Sequence, residues 1–226
     1  MKILRVLFLM SFVVNCFAQD VHFSQFKISS FLLNPALVGS QNSEYKATLQ
    51  RKSQWESVSI PFNTFSFSLE CKDILPSHSV GVQFLNDIAG DSRFKTTGIN
   101  LAYAKRVVAT TKNMFFFGAD IGLFQRSVIF DDLIFNDPEN FNNINFTFPD
   151  VVFGIANFYE INKKMTSESG ISLYHINKPK QSLIDNNLIV LHQKINLHTA
   201  FNYTFNTKLS IHPKLLFSNQ DTDKEF

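Results

Sequence analysis

Residues 62–71 read FNTFSFSLEC, and they alternate almost without error. Phe65, Phe67, Leu69 and Cys71 fall on one parity, with Thr64, Ser66, Ser68 and Glu70 on the other. Successive side chains of a β-strand point to opposite faces, so this stretch predicts a strand with one apolar and one polar face. The apolar face has two possible destinations. It could line the core between the two sheets of a soluble sandwich, or face lipid on the outside of a barrel with a wet interior.

Outward from this strand, alternation recurs in blocks of similar length separated by polar or Pro-containing turns. The blocks lie near 45–52, 62–71, 79–86, 94–107, 114–127, 150–160, 167–176, 194–205 and 208–217. This spacing is characteristic of a transmembrane barrel. In 194–205, Ile195, Leu197, Phe201, Tyr203 and Phe205 share a face with Thr199 and oppose Lys194, Asn196, His198, Ala200, Asn202 and Thr204. In 114–127, Phe116 and Phe124 intrude on a face otherwise carrying Gly118, Asp120, Gly122 and Arg126. The 150–160 block is apolar on both parities and is left unassigned. Six of the eight glycines (Gly81, Gly98, Gly118, Gly122, Gly154 and Gly170) fall inside candidate strands. Gly normally weakens a strand, and most of these share parity with polar residues. On the concave side of a barrel they would let strands coil tightly, which favours lipid outside. An Arg is then expected to be costly at Leu197 and tolerated at Asn196. The odd number of blocks does not suit a closed bacterial barrel, which takes an even number.

Composition points the same way. The 226 residues include 26 Phe, five Tyr and one Trp, with 18% charged residues and a net charge of +2. That balance, without a Lys/Arg block, gives no footprint for nucleic acid. Lys2 and Arg5, the apolar run Val6–Val14 and the Cys16-Phe17-Ala18 site read as a signal peptide over residues 1–18; lipidation at Cys16 is the weaker reading. Cleavage would leave Cys71 alone, so packing and strand closure have to supply stability. Residues 19–43 form a non-strand segment that could plug the lumen or dock a partner, 44–217 hold the strands, and 218–226 read as a polar tail. Long polar loops are expected over Asp131–Pro149 and Pro179–Asn187.

No chemistry-bearing motif stands out. Asp87 and Asp91 flank Gly90 and could offer oxygens to Ca²⁺, but two carboxylates four apart are more often hairpin-turn residues making local hydrogen bonds. The six His lack Cys or carboxylate at zinc spacing. His175 and His198 could be nominated for a barrel hydrolase, yet no nucleophile elbow accompanies them. No catalytic residue, cofactor or metal is assigned.

One stretch has no periodicity to explain it: HFSQFKISSFLLNPALVGS, residues 22–40. Its His22-Phe23-Ser24-Gln25-Phe26 and Asn34-Pro35-Ala36-Leu37-Val38-Gly39 elements resemble the opening of the mature PorP/SprF proteins of Bacteroidetes. Further matches follow in order: Gln54 and Trp55 in RKSQW; Asn86, Asp87, Gly90 and Asp91 in NDIAGD; and His175, Asn177 and Pro179 in HINKP, with Ser182. The resemblance implies an all-β outer-membrane barrel of the type IX secretion and gliding machinery, without enzymatic activity. Periplasmic and lipoprotein ring components, outer-membrane lipid, and secreted cargo or adhesins would be the partners. Family members run on with further strands beyond Leu215-Leu216-Phe217, so a shortened form is expected. The alternative is a secreted soluble β-sandwich acting as a binding or adhesin-like module.

Overall fold

The computed structural model describes residues 23, 25–57, 60–90, 94–128, 143–181, 189–206, 208–220 and 223–225. The expected signal peptide, His22, Ser24, Asp91 and Ser182 lie outside the described residues, as do most of the two expected long loops. A short helix α1 (Ser30–Leu33) and a 3-10 turn (Pro35–Leu37) precede the strands. The strands are β1 (Tyr45–Gln54), β2 (Phe62–Leu75), β3 (His78–Ala89), β4 (Phe94–Thr110), β5 (Asn113–Val128), β6 (Ile144–Asn162), β7 (Met165–Tyr174), β8 (Lys194–Asn206), β9 (Leu209–Ile211), β10 (Lys214–Gln220) and β11 (Asp223–Glu225). No described helix is long and apolar enough to cross a membrane.

All strands belong to one antiparallel sheet in the order β1-β2-β3-β4-β5-β6-β7-β8-β10-β11, with β9 also on β8. From β1 to β8 every strand pairs with its sequential neighbours, as in an up-and-down barrel. Among the described residues no ladder joins β1 to β10 or β11. Two packed sheets, the sandwich alternative, are not what forms.

The side chains decide which way the apolar face points. On β2, Ser68 is 1% exposed and the adjacent Leu69 46%. On β8, Asn196 is 2% exposed and Leu197 45%. Polar side chains therefore fill the inside while Leu49, Phe65, Ile99, Leu101, Ile121, Leu123, Phe153 and Ile171 stand outside. In water such an exterior would be an aggregation surface; in hydrocarbon it is the solvated face.

The connections also sort by end. From β1 to β8, the strand pairs β2/β3, β4/β5, β6/β7 and β8/β9 are joined by two residues each, whereas 55–61, 90–93, 129–143 and 175–193 link the others at the opposite end. Short turns at one end and longer loops at the other are typical of membrane barrels.

Several expectations need correction. The block near 208–217 is two strands, β9 and β10, in one register: Ile211 faces Tyr203 and Lys214 faces Ala200. Pro213 interrupts it by lacking an N–H, although its carbonyl still accepts from Phe201 N at 3.0 Å. The presumed tail is not free, because β10 runs to Gln220 and β11 pairs back onto it. With β9 and β10 as one strand, the path has ten strands, an even number. β6 begins at Ile144, inside the expected Asp131–Pro149 loop, and it accommodates Pro149 opposite Leu123 of β5. The proline is tolerated because β7 has ended by that level, so its missing N–H breaks no ladder bond.

Candidate functional site: the N-terminal segment and the loop rim

Residues 29–38, apart from the half-buried Leu32, are buried against the polar face of the sheet. Phe31, Leu33, Asn34, Ala36 and Val38 are each at most 1% exposed. Asn34 organises the turn. Its extended backbone (φ −167°) caps the 3-10 helix, its Oδ1 accepts from Ala36 N at 2.9 Å, and Pro35 takes the first helical position. Its Nδ2 donates towards Ile155 O (3.0 Å), Ile171 O (3.2 Å) and His198 Nε2 (3.1 Å). Five residues on, Gly39 N donates to Glu70 Oε2 at 3.1 Å. Glu70 lies on β2 and His198 on β8, six strand spacings apart. Between them the same segment meets Gln83 on β3, Gly118 on β5, Gly154 on β6 and Ser172 on β7. The sheet is thus wrapped around this segment.

Why Asn34-Pro35-Ala36 fits there is answered by glycine. A Cβ on Gly118 would meet the backbone of Pro35 and Ala36; one on Gly154 would meet the Asn34 side chain; one on Gly170 would meet His198 and Asn34. Three adjacent strands, β5, β6 and β7, each contribute one such position. The expected role of interior glycine, tight coiling, is replaced here by clearance for a buried chain. Phe116, which spoiled the alternation of β5, packs with Leu33, Ala36, Leu37 and Ala156. Phe124 packs with Leu85 and Phe148 in a second cluster and fills the space over Gly98 and Gly122. The two-sided apolarity of 150–160 has the same origin, since Val152 and Ala156 face inward and are buried.

Polar contacts complete the seat. Ser172 Oγ and Asn196 Nδ2 donate to Leu33 O at 2.7 and 3.2 Å, and Tyr174 Oη donates to Phe31 O at 2.7 Å. Gln83 Nε2 donates to Ser29 Oγ and Ser66 Oγ. Lys46 pairs with Glu70 at 3.0 Å, and Lys27 with Glu168 at 2.6 Å. Asn196 is therefore not a wet, tolerant position, because it also accepts from Ser218 Oγ at 2.8 Å.

Three of the four motif groups converge at the long-loop end instead. Gln54 ends β1 and Trp55 follows it, 65% exposed, at φ 60° and edge-on to Phe62 at 5.0 Å. On β3, Asn86 Nδ2 donates to Thr97 Oγ1 at 2.7 Å, and Asp87 Oδ1 accepts from Thr64 Oγ1 at 2.6 Å. Gly90 turns the chain at φ 63°. Past the end of β7, His175 is buried against Asp150, with Nδ1 2.9 Å from Oδ2. Asn177 extends the β6 ladder with its side chain: Nδ2 donates to Pro149 O at 2.7 Å and Oδ1 accepts from Val151 N at 3.2 Å. Pro179 is buried and its carbonyl accepts from Leu191 N. Phe23 is buried at the head of the N-terminal segment and Gln25 is exposed. Of the two His considered for hydrolysis, His175 thus pairs with Asp150, and His198 sits between Asn34 and Glu168 Oε1, the latter at 3.7 Å. Among the described residues no three His, Cys, Asp or Glu approach closely enough to hold a metal ion.

What sequence reading missed is Gly118, Gly154 and Gly170 as partners of Asn34-Pro35-Ala36. The signal was present as glycine at matching parity, but nothing local says what fills the space.

A single antiparallel sheet, apolar outside and wrapped around a buried segment of its own chain, defines a β-barrel type of membrane protein. The chain belongs to the type IX secretion system membrane proteins PorP/SprF, a family that matches residues 15–226. No curated protein and no solved structure matches it.

Proposed function

We propose that the chain is a non-enzymatic outer-membrane component of type IX secretion that helps export secreted proteins or hold them at the cell surface. The observation that carries this reading is the division of labour among the motif groups. One is spent on filling the interior, where an open pore would need space, and three are presented at the long-loop rim. Membrane barrels turn their longer loops outward and their short turns to the periplasm. Trp55, Asn86, Asp87, Gly90 and Asn177 therefore form an outward rim suited to cargo or adhesin, with His175 and Pro179 buried beneath it. The opposite end meets periplasmic and lipoprotein ring components. Asn34-Pro35-Ala36 acts as a built-in plug that makes the protein a scaffold and not a channel.

The test is a chromosomal Trp55→Ala/Asn177→Ala variant, followed by fractionation and surface proteomics. The expected result is a protein still in the outer-membrane fraction, with type IX cargo lost from the surface. Normal cargo display in a strain lacking the protein altogether would overturn the reading, as would recovery of the mature protein in the aqueous extract.

A further inference from the structure

Three successive short hairpins are built alike. In β4/β5, Lys112 N donates to Thr110 Oγ1 at 3.3 Å. In β6/β7, Lys164 N donates to Asn162 Oδ1 at 2.9 Å. In β8/β9, Lys208 N donates to Asn206 Oδ1 at 2.9 Å. Each turn thus begins with a side-chain oxygen that accepts from the backbone two residues on, and that second residue is always lysine. Lys163 adds a fourth cation. All four side chains are exposed, and none has an ion pair among the described residues. Over 107–116, 158–167 and 203–212 the sequence carries these four lysines against one carboxylate, Glu160.

Their depth matters as much as their charge. Exposed apolar side chains continue on the outside almost to the turns: Val107, Tyr159 and Ile161, Tyr203 and Phe205, then Leu209 and Ile211. The turns have two residues each and do not project far beyond this band. An amine that close to a lipid-facing surface sits at the level of the headgroups.

We propose that the turn lysines Lys112, Lys163, Lys164 and Lys208 form a rim that binds anionic phospholipid headgroups in the leaflet at the short-turn end. The lysine ammonium groups bind the lipid phosphates as point charges, and the regular turn geometry spaces them around the barrel. This rests on the membrane reading of the apolar exterior. A juxtamembrane lysine enriches anionic lipid by roughly fivefold, so removing four should abolish selectivity.

The full mature chain is reconstituted into vesicles of phosphatidylcholine and phosphatidylglycerol in equal parts, and lipids retained on re-extraction are quantified by mass spectrometry. Wild type should retain phosphatidylglycerol over phosphatidylcholine, with the preference shrinking in high salt. The variant K112Q/K163Q/K164Q/K208Q should lose it while keeping its strand circular dichroism, and R51Q/K95Q at the other end should keep it. Equal retention of both lipids by wild type overturns the proposal, and so does undiminished selectivity in the quadruple variant. Lysines that prove necessary only for capturing an acidic periplasmic protein, with lipid selectivity unchanged, overturn it as well. Failure of the chain to enter any vesicle would instead strike the membrane reading itself.

Discussion

Asn34 shows how much one buried amide can organise. Its two ends close the 3-10 turn and reach the backbones of β6 and β7 and the ring of His198. Replacing it with alanine leaves buried partners unsatisfied, at a cost of about 1–3 kcal/mol. The unfolding midpoint of Asn34→Ala in detergent and urea should fall accordingly. Gly154→Leu attacks the same contact from the other side, since any Cβ there meets the Asn34 side chain. Overpacking of this kind costs about 1–3 kcal/mol. The segment should be displaced before the sheet is lost, giving an ion conductance in planar bilayers that wild type lacks. A silent Gly154→Leu would count against the plug. Leu197 and Asn196 make a second contrast. Arg at Leu197 should destabilise by about 2–4 kcal/mol if it lies at mid-depth. Arg at Asn196, which alternation alone marks as harmless, should also impair folding, because that amide is buried between Leu33 O and Ser218. Heat-modified migration of both variants beside wild type measures this.

At the scale of elements, most strands were legible because they need only local information. Period-two alternation placed β8 within a residue of where it lies and gave the start and the faces of β2, which runs four residues past the expected Cys71. β6 and β9/β10 were harder, and proline is the reason in both. Pro149 reads as a loop residue, yet it sits in β6 where the neighbouring strand has ended and the Asn177 side chain takes over the pairing. Pro213 costs β9/β10 a single rung opposite Phe201. Pro213→Val should restore that rung and stabilise the protein by about 0.5–1.5 kcal/mol, readable as a higher denaturation midpoint. A lower midpoint would show that the edge needs its proline, as edge strands that resist pairing with strangers often do.

For the molecule as a whole, the sequence alone determined a period-two apolar stripe repeated along the chain, a phenylalanine-rich composition, and four motif groups in a fixed order. These follow from backbone geometry and from the residues themselves, so no partner is needed to read them. Only the tertiary structure decided that the sheet curls around residues 29–38, that glycines on β5, β6 and β7 leave room for Asn34-Pro35-Ala36, and that Phe116 and Val152 face inward. It also gathered Trp55, Asn86, Asp87 and Asn177 at one rim and the turn lysines at the other. Those facts depend on contacts between residues up to 164 apart. Alternation tells a side chain which face it shares with its neighbours, but what stands opposite that face is set by how the sheet curls around the chain that made it.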